Sequence, residues 1–331
     1  MPLRIIRDDI VNIKTDAIVN TSSPSPQIGS GVDWRINTVA GPKLIEYRES
    51  FGQLEYGDVV MTPAGELGAK AVLHAVTPVW KGGWQGERKL LAACYSKALE
   101  LAINANLKSV AFPLLSAGNQ GFPNDIALEI ANEAFEAFLA QNEIDIYLVL
   151  FSDEAMNASG PLRDSIEEYI DSRLIAELEA EEGICFSAEA LRPSNRVGRA
   201  LRREAKASAS AGLDNIDSIL ENTFTDELIR LAAQRGMTDP QVYKAANIDR
   251  KAFNKIINNR DYHPGKNTAI ALGIALRLNL DQMKDFIGRA GYALTRASRF
   301  DIVVEFCILN NIYNIIRVNE ILFEHTEKTL N

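Results

Sequence analysis

Over its first 172 residues the chain alternates short apolar runs with stretches of helix length, and beyond them the alternation stops. The runs Asp16 to Asn20, Ala71 to Val76, Ser109 to Leu115 and Asp145 to Phe151 are rich in valine and isoleucine. They are apolar nearly throughout instead of at every second position, the pattern of strands covered on both faces. Between them, Asp33 to Tyr47, Glu87 to Asn104, Asn124 to Ala140 and Gly160 to Ser172 read as helices. This predicts an α/β domain at residues 1–172, built as a three-layer α/β/α sandwich. Residues 173–215 hold an acidic run, an arginine-rich run and the small residues Ala207 to Gly212, and read as a linker. Residues 216–331 are helical in period, with Thr238, Asp249 and Asp281 as expected N-caps, and predict an all-α second domain.

Charge and composition exclude several classes. The net charge of −9 argues against a protein that coats nucleic acid indiscriminately, because such binding neutralises phosphates with lysine and arginine. The charge is uneven: Arg192 to Lys206 carries six basic residues against Glu204, and the stretch from Leu213 onward has 15 basic and 15 acidic residues. Cys94, Cys185 and Cys307 are scattered singly, and His74, His263 and His325 are far apart, so no disulfide framework, metal site or bound cofactor is expected. No apolar stretch approaches the roughly 20 residues that cross a bilayer, and Met1-Pro2-Leu3-Arg4 opens no signal-peptide core. The expectation is a cytoplasmic protein without a membrane partner.

Ligands of parallel sheets sit beyond the carboxyl ends of the strands. Two glycine-rich loops lie there, Gly29-Ser30-Gly31-Val32-Asp33 after the run ending at Asn20, and Ser116-Ala117-Gly118-Asn119-Gln120-Gly121-Phe122-Pro123 after Leu115. Each precedes a helix, where free backbone N–H groups meet anions, and two such loops suit a diphosphate. A dinucleotide fingerprint is missing, since Leu3 to Ile6 is followed by Arg7-Asp8-Asp9-Ile10-Val11 without glycine. Gly265-Lys266-Asn267-Thr268 is no P-loop, because Arg260 stands where the first glycine belongs.

Together, Asp9-Ile10, Asp16 to Asn20, Gly29 to Asp33, His74-Ala75-Val76-Thr77-Pro78 and Ser116 to Pro123 resemble the macrodomain family in order and spacing. The resemblance implies a mixed central sheet and a cleft for ADP-ribose, free or attached to a macromolecule. It implies that Asp9 accepts from the adenine amino group, with the Ile10 backbone beside it. Gly29, Ser30, Gly31 and Val32 would line one side of the diphosphate, and Ser116, Ala117, Gly118, Asn119, Gln120 and Gly121 the other. Asn20 would sit near the distal ribose, Phe122 would pack on that ribose, and Phe151 and Ser152 would lie near the adenine. Read without the resemblance, Asp9 caps a local turn, Phe122 and Phe151 belong to the core, and His74 is a hydrogen-bonded core histidine.

The family holds readers of ADP-ribose and hydrolases that remove it. In the hydrolases two asparagines flank two small residues; here Asn20 takes the first position and Ser23 the second. Ile28 and Ser30 thin the glycine run, and Asn37 stands where histidine is common. Asp33 is retained, either as general base for a water or as the N-cap of its helix. The leading expectation is a reader; the alternative is an ADP-ribosyl hydrolase using Asp33 and Asn20.

In the second domain, Thr238 to Ile248 and Asp249 to Ile256 resemble the helix-turn-helix core of the lambda-repressor-like family, with helices expected at Asn267 to Leu278 and Asp281 to Ala290. Asn247 suits the left-handed turn. The resemblance implies DNA binding within residues 238–266, with Arg250, Lys251, Asn254 and Lys255 reaching the major groove and Arg260 and Lys266 meeting phosphates. A protein-docking module is the alternative, since the domain has no net positive charge. Phe300 to Asn311 and Ile312 to Glu324 are apolar on more than one face and are expected to form a homodimer seam.

Overall fold

The computed structural model describes residues 3–151, 165–172, 223–260 and 262–330. The expected linker, Ser152 and the start of the helical region lie outside the described residues. Six strands form one mixed sheet: β1 (Leu3–Arg7), β2 (Ala17–Ser22), β3 (Val59–Pro63), β4 (Ala71–Val76), β5 (Ser109–Pro113) and β6 (Asp145–Leu150), in the order β1-β6-β5-β2-β4-β3. All neighbours are parallel except β3, which runs antiparallel to β4. The edge strand β3 carries no buried apolar run to announce it, since Val59 and Val60 are half-buried, Met61 is exposed and the strand ends at the exposed Pro63.

The expected helix Asp33 to Tyr47 is two helices, α1 (Val32–Ala40) and α2 (Pro42–Glu49). Gly41 at φ 79° breaks it, and Pro42 at the next position cannot donate into a continuing helix. Helices α3 (Glu87–Asn104) and α4 (Asn124–Gln141) cover one face of the sheet and α1 and α2 the other. Residues 165–172 form α5.

The helical region holds α6 (Phe224–Gln234), α7 (Asp239–Ala245), α8 (Arg250–Asn258), α9 (Lys266–Ala275), α10 (Leu280–Gly288), α11 (Arg299–Leu309) and α12 (Ile315–Thr326). Thr238 and Gln241 form a capping box and Asp249 caps α8, as expected. Asn279 rather than Asp281 caps α10, because its side chain accepts from the Gln282 N–H and Gln282 reaches back. Asn247 occupies the left-handed turn at φ 54°.

The two regions share a core. Tyr95, Phe112 and Phe135 on the sandwich side belong to the same apolar cluster as Phe224, Phe253 and Phe286 on the helical side. The turn between α7 and α8 is docked on the open edge of the sheet: the Leu3 N–H donates to Asn247 Oδ1 at 2.7 Å, and Asn247 Nδ2 donates to the Leu3 carbonyl at 2.8 Å. One amide thus satisfies the donor and the acceptor that an edge strand leaves open. Helices α11 and α12 spend their apolar residues here; Val303, Val304, Cys307, Val318 and Leu322 are fully buried within the chain. These residues are thus covered by the chain itself, and the expected homodimer seam finds no support in them.

Candidate functional site

Strands β1, β6, β5 and β2 end on the side where the two glycine-rich loops begin, and a cleft of about 520 Å³ opens there. Its lining comes from the segment after β1 (Asp8, Asp9, Ile10), the start of α1 (Gly31, Val32, Trp34, Arg35), the end of β5 and the second loop (Pro113, Leu114, Ala117, Gly118, Asn124), and the end of β6 (Val149, Leu150, Phe151). Seven residues expected at a ligand, Asp9, Ile10, Gly31, Val32, Ala117, Gly118 and Phe151, meet in this one cavity. The volume falls within the roughly 300–1,000 Å³ of ordinary ligand pockets.

Asp9 has two local partners. Its Oδ1 accepts the Val11 N–H at 3.2 Å and caps a 3-10 turn at Ile10–Asn12, while its Oδ2 pairs with Arg35 Nε at 2.6 Å. The turn-cap reading is therefore realised, and Arg35 fixes the direction of the remaining lone pairs. Phe151 is 79% exposed at the cleft mouth, which corrects the core reading; it stands one residue past β6, beyond the layers that the described residues form. Phe122 is the reverse: at 3% exposure it packs on Trp80, ring centroids 4.7 Å apart, and does not line the cleft.

The loops are built for each other. Asn119 Nδ2 donates to Ser30 Oγ at 2.7 Å, tying the second loop to the first. Ser116, buried at φ 62°, donates its hydroxyl to the Pro78 carbonyl at 3.0 Å, and Gly121, at φ 72°, closes the loop onto the Gly118 carbonyl at 2.9 Å. Gln120 gives its carbonyl to the Trp80 N–H at 2.8 Å, and Gly29 gives its N–H to Asp33 at 2.7 Å. So Gly29, Ser30, Ser116, Asn119, Gln120 and Gly121 shape the loops without forming the wall of the cleft. At Gly118 an added Cβ meets nothing within 4 Å, so glycine is not needed there for backbone reasons.

Beneath the first loop lies a buried polar hub that composition and spacing do not announce. Asp33 Oδ1 accepts from Asn20 Nδ2 at 2.6 Å, Arg48 Nη1 at 2.8 Å and Asn37 Nδ2 at 2.9 Å; Oδ2 accepts from Gly29 N at 2.7 Å and Arg48 Nη2 at 3.4 Å. Both side chains of the Asp33–Arg48 pair are 4% exposed. Asp33 is thus neither the N-cap of α1, a position held by Gly31, nor a carboxylate open to a water in the cleft. Asn20, fully buried, spends its second N–H on His74 Nδ1 at 3.1 Å, and His74 Nε2 meets the Thr62 hydroxyl at 2.9 Å. Burial, then the Arg48 charge, push the His74 pKa down to about 3, so its ring is neutral near pH 7 and the core-histidine reading holds.

Sequence reading missed Arg48 and Arg35. Arg35 was within reach, since it follows Val32 by one helical turn and shares its face. Arg48 was not, because Gly41 and Pro42 interrupt any period linking it to Asp33.

In the helical region, Arg250, Lys251, Asn254 and Lys255 are exposed on α8 while Phe253 and Ile256 face inward. Lys255 Nζ lies 4.5 Å from the centroid of the Tyr262 ring. The two expected phosphate ligands are engaged elsewhere: Arg260 pairs with Asp226 at 3.2 Å, and Lys266 with the buried Asp301 at 2.6 Å. Among the described residues no cluster of three metal-binding side chains occurs, and no helix is long and apolar enough to cross a membrane.

Residues 19–131 match the model of the Macro domain. A macro domain-containing protein of Methanosarcina mazei is 41% identical over 155 residues, which is 46% of this chain and 83% of that one. An O-acetyl-ADP-ribose deacetylase of Cronobacter turicensis is 39% identical over 158 residues, 46% of this chain and 90% of that one. A solved structure of the Oceanobacillus iheyensis macrodomain with ADP is 34% identical, covers 46% of this chain and 85% of its own, and superposes with a TM-score of 0.45. The sheet order, the two loops over its carboxyl ends and this extent of identity agree: through its N-terminal α/β region, the chain belongs to the macrodomain family.

Proposed function

We propose that the cleft binds ADP-ribose or a closely related NAD-derived nucleotide, and that the chain acts as a reader of that ligand. The observation that carries this reading is the meeting, in one cavity, of an oriented carboxylate at Asp9, the exposed aromatic rings of Trp34 and Phe151, and the small-residue segments at Gly31 and Ala117-Gly118. A carboxylate accepts only, which suits an adenine amino group; glycine-rich backbone admits a diphosphate closely in an otherwise acidic domain. Asp33 fits a reader, since five donors already occupy a group with about four lone-pair sites.

A hydrolytic reading, cleavage of an ADP-ribosyl or O-acetyl-ADP-ribose bond, is supported by the name of the Cronobacter turicensis relative. On that reading the hub around Asp33 and Asn20 must open. Calorimetry with ADP-ribose, run beside an acetate-release assay on O-acetyl-ADP-ribose, separates the two. We expect binding without turnover, about 1–3 kcal/mol weaker in Asp9→Ala. Gly118→Glu, for which the unliganded loop has room, abolishes binding by filling the cleft. Absence of heat from the wild-type protein overturns the ligand; steady acetate release overturns the reader.

The exposed basic face of α8 supports a second half of the function, delivery of the ligand state to DNA. A helical face of Arg250, Lys251, Asn254 and Lys255 supplies charge for phosphates and an amide for base edges.

A further inference from the structure

The loop between β4 and α3 is unusual in what it holds rigidly and what it leaves bare. Trp84 at its tip is 92% exposed, more than any other large hydrophobic side chain among the described residues. The loop beneath it is tightly built. The buried Glu87 carboxylate collects the N–H groups of Lys81, Gly83 and Gln85 at 3.1, 3.2 and 2.7 Å. Gly83, at φ 87°, sits so close to Trp80 that a Cβ would stand 2.9 Å from its ring, and Trp80 in turn packs at a tilt against Phe122. The exposed indole is thus carried on an ordered scaffold.

Leaving such a ring in water forgoes the stabilisation that burial of a large apolar side chain brings. Its surroundings point to one kind of partner. Between residues 81 and 89 three basic residues face a single acidic one, Glu87, whose charge is spent inside the loop. Arg88 is paired with Glu129 at 2.6 Å, while Lys81 and Lys89 are exposed and enter no ion pair among the described residues. In a chain of net charge −9, the segment that carries the bare ring thus holds two exposed lysines outside any described ion pair. Aromatic rings flanked by unpaired cations suit single-stranded nucleic acid, whose bases stack while the backbone meets the charges.

We propose that this loop is a stacking platform for an unpaired nucleobase of single-stranded nucleic acid, with Trp84 beneath the base and Lys81 and Lys89 beside the backbone. The loop is joined to the second glycine-rich loop through the Trp80 N–H to Gln120 carbonyl bond and the Trp80–Phe122 contact. The stacking site does not rest on the cleft reading.

The test is fluorescence anisotropy of a labelled ten-residue oligothymidylate with the full-length protein at low and at 0.2 M salt, with ADP-ribose affinity measured in parallel. We expect weak, salt-sensitive binding that Trp84→Ala reduces about tenfold, in line with the loss of one stacked base. Trp84→Phe retains most of it, and joint Lys81→Ala and Lys89→Ala lowers the salt slope by up to about 1.4. ADP-ribose affinity stays unchanged in all three, so that loss of the platform and loss of the cleft are read separately. Failure of the wild-type protein to bind at low salt overturns the proposal. So does Trp84→Ala binding like the wild type, or binding that vanishes only when Arg250 and Lys251 on α8 are replaced.

Discussion

Asp33 shows how one buried carboxylate can tie several elements together. Its carboxylate joins β2 through Asn20, α1 through Asn37, α2 through Arg48 and the first glycine-rich loop through Gly29. Removing one partner of a buried ion pair leaves the other charge uncompensated, a loss of about 3–5 kcal/mol. Asp33→Ala is therefore expected to lower unfolding stability by about that amount, read from urea denaturation, and Arg48→Met in the same chain to restore part of it. If Asp33→Ala is as stable as the wild type while a hydrolytic activity disappears, the residue is catalytic and the hub is incidental. Asp9 differs in kind: it keeps partial exposure and faces the cleft, so its replacement acts on the ligand more than on the fold.

At the scale of elements, α8 resembles a recognition helix in sequence and is left free by the fold. The helix before it is not free: Lys244 on α7 donates to the Ala140 carbonyl at 2.7 Å, and Asn247 in the turn grips Leu3. The pair is therefore anchored on its first helix and turn, with the basic face of α8 outward. The full-length protein is expected to bind duplex DNA with an affinity that falls as salt rises, and Arg250→Ala with Lys251→Ala to lower the salt slope by about 1.8. Electrophoretic mobility at several salt concentrations checks it. No shift of any duplex at 50 mM salt would leave α8 as a face for a protein partner.

Across the whole molecule, the shared core sets how far the two regions are separable. Asn132 on α4 bonds Glu320 on α12, Asn314 reaches Glu136 at 2.6 Å, and Arg7 meets Glu327 at 2.6 Å while lying over the Phe323 ring. Arg7 is the last residue of β1, two before Asp9, so α12 holds the strand end from which the cleft begins. A fragment ending at residue 172 exposes the β1 edge and the apolar surface under α12. It is expected to unfold at lower urea than the full chain and to bind a hydrophobic dye, with the full chain expected to unfold in one cooperative transition. An equal midpoint for fragment and full chain would show that the shared core contributes nothing.

The sequence by itself determined what depends on local pattern and on linear order. Apolar runs of strand length fix β4, β5 and β6, because a strand buried on both faces needs such a run; capping chemistry at Thr238 and Asp249 fixes the starts of α7 and α8. The order of Asp9, the two glycine-rich loops and the strand ends fixes the cleft, because loops after parallel strands must gather at one end of the sheet. Only the tertiary structure decided the rest. Whether Phe122 or Phe151 meets solvent depends on what covers each ring, and Trp80 covers the first alone. Arg48 reaches Asp33 across a helix break that no period spans. Asn247, chosen for its turn by a backbone preference that sequence reveals, was given a second task by a strand 244 residues away, a pairing that exists only once the chain has closed on itself.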